Sequence, residues 1–331
     1  MLHSHPFLDT LIDCLKVNYR LDVKSIIPLS GGADINASLY KAQTSDQSYF
    51  VKLKKGDENA FSFALMDLLW ESGVQEIIPP LKTIDGSSLL QIEDFNLVIF
   101  PFIEGVNGFS QKLTGKQWTS LGKALRRVHD FDVPPSLIKG IRKETYSSKW
   151  RQLVRLFYSD LRKKPPEKDH LALKFLNIMN RNRAVIEDLI DRASELSTKV
   201  KNIPSKSVLC HSDIHGGNIL IKNSEVLYLI DWDDPIMAPK ERDLMFIGGG
   251  VGNVWNDPQE EASFYKGYGK TEIDNSLLAY YRYERIVQDV AEFTEILLDS
   301  QHKDRPEMLD HFISMFNPNG VVEIALKTPV I

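Results

Sequence analysis

The pattern of apolar and polar positions changes about one third of the way along the chain. In the first hundred residues, short apolar runs are separated by turn-forming residues, and this pattern predicts strands. From residue 114 onward, apolar residues recur mostly at the three- and four-residue spacing of helices. The predicted strands are residues 24–29, 35–42, 49–53, 89–92, 97–100, 218–221 and 226–230. The predicted helices are residues 6–18, 61–70, 114–129, 147–160, 168–180, 182–200, 259–268 and 275–298.

These elements predict an α+β fold in which a small β-rich lobe precedes a larger, mostly helical lobe. The length of 331 residues is enough for two lobes with substantial cores. We place the N-terminal lobe at residues 1–100, a short connector at 101–105 and the C-terminal lobe at 106–331.

Charge is distributed unevenly, although the net formal charge is only −5. Residues 105–204 carry 21 basic and 10 acidic side chains, whereas residues 205–331 carry 11 basic and 21 acidic ones. The negative total argues against a nucleic-acid partner. The acidic last third has the right sign to attract a cationic small molecule.

Cysteine content and hydropathy exclude other classes of protein. The two cysteines, Cys14 and Cys210, are too few for a disulfide framework or a CxxC metal site. The N-terminus lacks the basic start and apolar stretch of a signal peptide. No apolar run approaches the roughly 18 residues that cross a membrane. We therefore expect a cytoplasmic protein with no membrane partner, which is a monomer or a weak homodimer.

The most informative segment is residues 209–232, LCHSDIHGGNILIKNSEVLYLIDW. It places His211, Asp213 and Asn218 in the order H-x-D-x-x-x-x-N, and Asp231 follows at the end of an apolar run. Phosphoryl transfer requires one carboxylate that orients the attacking hydroxyl and accepts its proton, which suits Asp213. It also requires an amide oxygen and a second carboxylate that hold Mg²⁺, which suits Asn218 and Asp231. Each residue alone is typical of a turn, but their joint spacing favours catalysis.

Three further polar residues are predicted to support this segment. His211 and His215 have the spacing of two zinc ligands, but no third ligand accompanies them. We expect His211 to fix the loop by hydrogen bonding. Arg242 and Asp243 are expected to anchor the large lobe by internal hydrogen bonds rather than to take part in catalysis.

The stretches HSDIHGGNIL and LIDWDDPIMAPKERDLMF together resemble the catalytic core of the aminoglycoside phosphotransferase family. Ser212 stands where glycine is common in that family. The resemblance covers the whole chain and implies a bilobal protein-kinase-like fold with ATP and Mg²⁺ as cofactors. It also implies that the acceptor is an aminocyclitol or aminoglycoside antibiotic, which O-phosphorylation would inactivate. Spectinomycin is the acceptor that the resemblance favours.

The same resemblance implies nucleotide contacts in the N-terminal lobe. Lys52, in the run YFVKL, would bind the α- and β-phosphates, although Lys54 and Lys55 compete for this role. Gly31 and Gly32 would let a loop close over the phosphates, although a hairpin turn has the same sequence pattern.

The connector between the lobes would present backbone groups to adenine. Its apolar side chains would stack on the ring, although a buried strand end would have the same sequence. The connector residues predicted to contact the nucleotide are Phe100, Pro101, Phe102 and Ile103.

The partner of Lys52 stays open. Kinases pair this lysine with a glutamate on the following helix. The predicted helix body FSFALMDLLW contains only Asp67, and Glu58 lies just before it. Either Glu58 or a group elsewhere in the chain must hold the lysine.

A cationic acceptor would need carboxylates and an aromatic wall near Asp213. Asp233 follows the predicted metal ligand closely, and Trp255 is a candidate for the wall. Glu284, with Asp289 and Glu292, lies on a predicted helix that could line the cleft. A solvated helix face or a core tryptophan would give the same pattern.

Two alternatives to an antibiotic kinase remain at this stage. One is a metabolic kinase of the same fold that acts on choline, homoserine or a thiosugar. The other is a nucleotide-binding regulator without turnover, which the missing helix glutamate keeps open. The sequence does not distinguish ATP from GTP.

Overall fold

A five-stranded antiparallel sheet forms the β-rich first part of the chain in the computed structural model, which describes residues 5–29, 37–56, 60–161 and 169–330. The strand order is β1-β2-β3-β5-β4. The strands are β1 (Ser25–Pro28), β2 (Ala37–Gln43), β3 (Ser48–Lys55), β4 (Leu90–Ile92) and β5 (Phe95–Pro101). Two helices accompany the sheet, α1 (His5–Tyr19) and α2 (Ala60–Glu71).

The alternation of β3 explains which of its side chains are buried in the core and which lie on the opposite face of the sheet. Tyr49, Val51 and Leu53 are buried in a core that also contains Leu11 and Leu15 of α1. Because successive side chains of a strand point to opposite faces, Lys52 lies on the other face of the sheet. The predicted position of Lys52 on the third strand is therefore confirmed, and the strand presents the lysine away from the α1 side.

The second part of the chain is mostly helical. Its helices are α3 (Gly115–Asp130), α4 (Pro135–Ile138), α5 (Lys149–Leu161), α6 (His170–Arg181), α7 (Arg183–Lys201), α8 (Glu241–Leu244), α9 (Pro258–Tyr268), α10 (Asn275–Leu298), α11 (Arg305–Ser314) and α12 (Val321–Lys327). The long helix α10 packs against α5, α7, α8, α11 and α12, so it is the centre of this part. Its buried side chains consequently lie on several of its faces.

Helix α3 begins where the sequence predicts and packs closely on α9. Thr114 caps its N-terminus, and Gln117 completes a capping box. Gly122 of α3 and Gly267 of α9 lie where a Cβ would collide with the backbone of the opposite helix. These two glycines therefore allow the close approach of the helices.

Two small sheets carry the loops of interest. Strands β6 (Val106–Asn107), β9 (Ile219–Ile221) and β10 (Leu227–Leu229) form one sheet in the order β10-β9-β6. Strands β7 (Arg142–Lys143), β8 (Val208–Cys210) and β11 (Ile236–Ala238) form the other in the order β7-β11-β8. The predicted strand at 218–221 is shorter than expected, because residues Gly216–Asn218 form a 3₁₀ turn before β9 begins.

The described part of the chain contains no helix with the length and apolar character needed to cross a membrane.

Candidate active site

Two loops between short buried strands present the polar residues of the motif. Asp213 lies in the loop from β8 to β9, and Asp231 lies in the loop from β10 to β11. The N–H of Ile230 donates to the carbonyl of Asn218 at 2.9 Å, which ties the two loops together. The structure therefore brings Asp213, Asn218 and Asp231 to one place, as the motif predicts.

Asp213 accepts hydrogen bonds on both carboxylate oxygens. Arg285 Nη1 donates to Oδ1 at 2.5 Å, while Asn218 Nδ2 and His215 Nε2 lie 3.2 and 3.3 Å from Oδ2. Burial acts to raise the pKa of Asp213, but the charge of Arg285 and the hydrogen bonds from His215 and Arg285 outweigh it and hold the pKa well below its usual range. Asp213 is therefore ionised at neutral pH and can accept a hydrogen bond from a hydroxyl group.

Asp231 is the second carboxylate of this group of residues. Desolvation and the neighbouring Asp233 raise the pKa of Asp231, whereas Lys52 and His211 oppose this rise. The excess of negative charge would be relieved by a bound cation. Asn218 Nδ2 also donates to the backbone carbonyl of Asp213 at 2.9 Å, so the Asn218 amide oxygen points the other way. A carboxylate and an amide oxygen are donors that suit Mg²⁺.

Lys52 forms an ion pair with Asp233 rather than with an acid on the following helix. Asp67, in the body of α2, pairs with Lys82 instead. The sequence-based candidate Glu58 lies outside the described residues, as do Gly31 and Gly32 of the predicted phosphate loop. Among the described residues, the partner of Lys52 is therefore Asp233, in the loop that carries Asp231.

The loop around Asp213 rests on a buried polar cluster. The Asp243 carboxylate accepts hydrogen bonds from the N–H groups of His211 (3.0 Å) and Ser212 (2.7 Å). His129 Nε2 donates to the same carboxylate at 2.9 Å. His211 Nε2 donates to the carbonyl of Ile230 at 2.9 Å, so the ring bridges both loops. These contacts agree with the supporting roles expected for His211 and Asp243.

Arg242 makes a different contact from the expected hydrogen bonds. Its guanidinium lies 5.7 Å from the centre of the Tyr281 ring. This cation–π contact joins α8 to α10.

Ser212 has a backbone conformation that explains the glycine expected at this position. Its φ is +75°, in the left-handed region that glycine adopts more easily than other residues. The Ser212 hydroxyl donates to the carbonyl of Asp234 at 3.2 Å, which adds a contact that glycine would lack.

The connector leaves the sheet as the continuation of β5. The Phe102 N–H donates to the carbonyl of Ser48 at 3.0 Å, and Lys41 lies 4.2 Å from the centre of the Phe102 ring. Phe100 packs on Phe50 and Phe63. Because the N–H of Phe102 already donates to Ser48, only the carbonyl and the ring of Phe102 could contact adenine.

Two of the residues predicted to contact the acceptor lie in the core instead. Trp255 is 2% exposed and packs edge-to-face on Trp118, with ring centres 4.9 Å apart. Glu284 is buried and pairs with Arg151 of α5. The predictions that Trp255 and Glu284 contact the acceptor are therefore wrong, because other helices surround α10 at Glu284 and the loop that carries Trp255 packs on Trp118.

Glu284 also gives the unfolding free energy a pH dependence. Burial raises its pKa to about 7, although Arg151 opposes this rise, and Oε1 has no hydrogen-bond partner among the described residues. The pKa of Glu284 is higher in the folded than in the unfolded protein, so the folded state favours the protonated carboxyl. Its contribution to the free energy of unfolding is full below the unfolded pKa and is lost as the pH rises to about 7. In urea titrations, we expect the wild type to lose on the order of 2 kcal/mol more than Glu284→Gln between pH 5 and 7.5. Equal pH slopes for the two proteins would contradict this assignment.

Sequence reasoning missed Arg285, although it contacts Asp213 directly. Arg285 Nε also donates to Asp289 Oδ1 at 2.7 Å, one helical turn further along α10. The only local signal is the four-residue spacing of Arg285 and Asp289, which is common on exposed helices. Asp213 lies 72 residues earlier in the chain, so the spacing does not reveal this contact.

The chain is similar to a known protein family and to solved structures of one enzyme. A family model described as the phosphotransferase enzyme family matches residues 25–281. The chain is 47% identical to spectinomycin phosphotransferase APH(9)-Ia in its crystal structure with ADP and spectinomycin, with a TM-score of 0.91 over 97% of this chain and 98% of that one. An AMP-bound complex of the same enzyme gives 46% identity and a TM-score of 0.88, with coverage of 97% and 98%. These likenesses confirm the predicted kinase-like fold with its small β-rich and larger helical parts.

Curated sequences give more distant matches. The protein StrN of Streptomyces griseus is 24% identical over 202 residues, which are 60% of this chain and 63% of StrN. The chain spans less than two thirds of the length of the curated relatives that it matches.

Proposed function

The chain belongs to the phosphotransferase enzyme family, and from this we propose that it transfers the γ-phosphate of ATP to a hydroxyl group of a cationic aminocyclitol, with spectinomycin as the first candidate. The observation that carries the proposal is the placement of Asp213, hydrogen-bonded to Asn218 and close to Asp231, as phosphoryl transfer requires. Support for the acceptor comes from the 47% identity to an enzyme crystallised with ADP and spectinomycin. Phosphorylation would inactivate the antibiotic.

Asp213 orients the acceptor hydroxyl and accepts its proton as the hydroxyl attacks the γ-phosphate. The low pKa of Asp213 keeps the carboxylate ionised and ready to accept a hydrogen bond. A base with so low a pKa contributes mainly by orienting the hydroxyl, because it binds a proton weakly before the phosphate bond forms.

Asn218 and Asp231 would hold Mg²⁺ through an amide oxygen and a carboxylate. When bound, the ion would neutralise charge on the β- and γ-phosphates. The backbone φ of Asp231 is +65°, which places this residue at a sharp turn two residues after the end of β10.

Lys52 binds the α- and β-phosphates in this proposal, and Asp233 positions it. The lysine ammonium has three N–H donors, so it can keep its bond to Asp233 while it contacts a phosphate. This assignment gives Asp233 the task that a helix glutamate performs in protein kinases, and it removes Asp233 from the predicted acceptor contacts.

Asp233→Asn is expected to raise the KM for ATP and lower kcat/KM by roughly tenfold, because the amide cannot hold the lysine ammonium as tightly. Steady-state kinetics with varied ATP concentration measure the change. Asp67→Asn is the matched control, since it removes an acid of α2 that pairs with Lys82. Equal effects of the two substitutions would show that Asp233 does not position Lys52.

The division into lobes follows the same assignment. We place the nucleotide-binding lobe at residues 1–100, the connector at 101–105 and the catalytic and acceptor-binding lobe at 106–331. Gly31 and Gly32 would close over the phosphates. The adenine contacts would come from Phe100, Pro101, Phe102 and Ile103, with the carbonyl and ring of Phe102 rather than its N–H.

We propose that the protein is located in the cytoplasm. Cys14 and Cys210 form no disulfide, which suits a compartment where thiols stay reduced. The net charge of −5 argues against nucleic acid as a partner. We propose a monomer or a weak homodimer with no membrane partner.

A panel of acceptors in a coupled ADP-release assay tests the function. We expect ADP release with ATP, Mg²⁺ and spectinomycin, together with a gain of one phosphate in the mass of the antibiotic. Faster turnover with choline, homoserine or a thiosugar would instead identify a metabolic kinase. Binding of ATP without ADP release on any acceptor would identify a regulator without turnover.

A further inference from the structure

Arg285 is a partly buried charged side chain to which the proposed chemistry assigns no role. It projects from α10 and bridges two carboxylates, with Nη1 bonded to Asp213 Oδ1 at 2.5 Å and Nε bonded to Asp289 Oδ1 at 2.7 Å. Its guanidinium also lies 5.5 Å from the centre of the buried Phe246 ring.

These contacts fix the guanidinium in space. The two carboxylates hold separate nitrogen atoms of one rigid planar group, and Phe246 covers its face. The side chain is 22% exposed, so it is not a solvated surface arginine. Asp289 follows Arg285 by one helical turn and therefore orients it from within α10.

Arg285 differs from the other groups that contact Asp213. Asn218 and His215 belong to the same short loop as Asp213, so they move with it. Arg285 belongs to α10, the central helix of the large core, and it alone among these three ties the carboxylate to that rigid element. Donors on both oxygens together define the plane of the carboxylate.

We propose that Arg285 is a positioning residue for the phosphoryl transfer, and that Asp289 holds Arg285 in place. Arg285 binds Oδ1 of Asp213, and the carboxylate is thereby oriented with Oδ2 toward Asn218, the side where the phosphates and the acceptor hydroxyl would meet. The proposal rests on the function proposed above, because it assigns to Asp213 the orientation of the hydroxyl.

Arg285→Ala is expected to lower kcat by roughly 10- to 100-fold, because the Asp213 carboxylate would lose its orientation. The KM for ATP should change little, since Lys52 and the metal ligands bind the phosphates. Arg285→Lys should retain an intermediate kcat, because an ammonium can reach one carboxylate but cannot bridge both with a planar fork. Asp289→Asn should lower kcat in the same direction and by less.

Rescue by a small molecule separates positioning from a purely structural role. Methylguanidinium added to Arg285→Ala should restore several-fold of the lost kcat, because it can occupy the space between Asp213 and Asp289. Arg192→Ala is the matched control. It removes an exposed arginine of α7 that pairs with Asp188 four residues earlier, and it should neither lose kcat nor respond to methylguanidinium.

The outcomes distinguish this proposal from the proposed function. A wild type that phosphorylates no cationic acceptor would overturn the function. Crystal structures of the wild type and Arg285→Ala then decide the positioning role, and an unchanged Asp213 carboxylate would overturn it. With an active wild type, an undiminished kcat in Arg285→Ala, or a loss of kcat that methylguanidinium does not reverse, would overturn it as well.

Discussion

Asp213→Asn is expected to lower kcat for acceptor phosphorylation by 10²- to 10⁴-fold, the usual range for the loss of a general base. Asparagine keeps the volume of the side chain and can still accept a hydrogen bond from Arg285, so the cleft should keep its shape. It cannot accept the hydroxyl proton, and its oxygen carries no full charge that would orient the hydroxyl. ADP release at saturating ATP and acceptor measures the loss.

ATP binding provides the internal check on this substitution. Calorimetry should show nearly unchanged ATP affinity for Asp213→Asn, because Lys52 and the connector bind the nucleotide in our assignment. Asp188→Asn, on the exposed face of α7, is the control and should keep full activity. More than a tenth of the wild-type kcat in Asp213→Asn would contradict the role of Asp213.

The site residues that lie in one loop could be predicted from the sequence. Asp213 and Asn218 are five residues apart, and a turn of that length between two buried strands keeps their side chains together. Glycines at 216 and 217 let the loop turn tightly, next to His215 and Phe109. Local spacing therefore carried enough information to predict this half of the site.

Contacts between distant elements could not be predicted in this way. The predicted helix body at residues 61–70 contains no glutamate, so the sequence left either Glu58 or a group elsewhere in the chain to hold Lys52. Asp233, the partner among the described residues, is 181 residues away from it. Arg285 is similarly remote from Asp213. Only the packing of α10 beside the catalytic loop reveals which arginine on that helix meets the carboxylate.

The errors at Trp255 and Glu284 each come from tertiary packing that the local sequence does not show. An amphipathic pattern assumes that one face of a helix is exposed, yet α10 is surrounded by other helices and buries Glu284 with the aid of Arg151. Trp255 follows glycine- and asparagine-rich residues that suggest an open loop, but the loop folds onto Trp118. Strands β6, β7, β8 and β11 were missed because two or three residues are too few to show alternation.

The buried cluster around Asp243 links the stability of the fold to the geometry of the site. The Asp243 side chain is completely buried and accepts three hydrogen bonds, from the N–H groups of His211 and Ser212 and from His129. The Tyr268 hydroxyl lies 2.7 Å from His129 Nδ1 and can donate to it, so the cluster connects α3 and α9 with the catalytic loop. The Asp243 carboxylate itself is 0% exposed, so its partners within the cluster satisfy its hydrogen bonds.

Asp243→Ala is therefore expected to lower the free energy of unfolding by roughly 3–5 kcal/mol, because it leaves three buried donors without an acceptor. Asp243→Asn should cost less, about 1–3 kcal/mol, since its one oxygen can still accept some of these bonds. Urea denaturation followed by tryptophan fluorescence measures both values, and the asparagine variant keeps the test decisive if the alanine variant does not fold.

Asp130→Asn, at an exposed ion pair with Arg126, is the control and should change stability by less than about 1 kcal/mol. If Asp243→Asn matched that control, the cluster would not support the fold. If it lost stability as expected but kept full kcat, the hydrogen bonds to His211 and Ser212 would stabilise the protein without orienting Asp213.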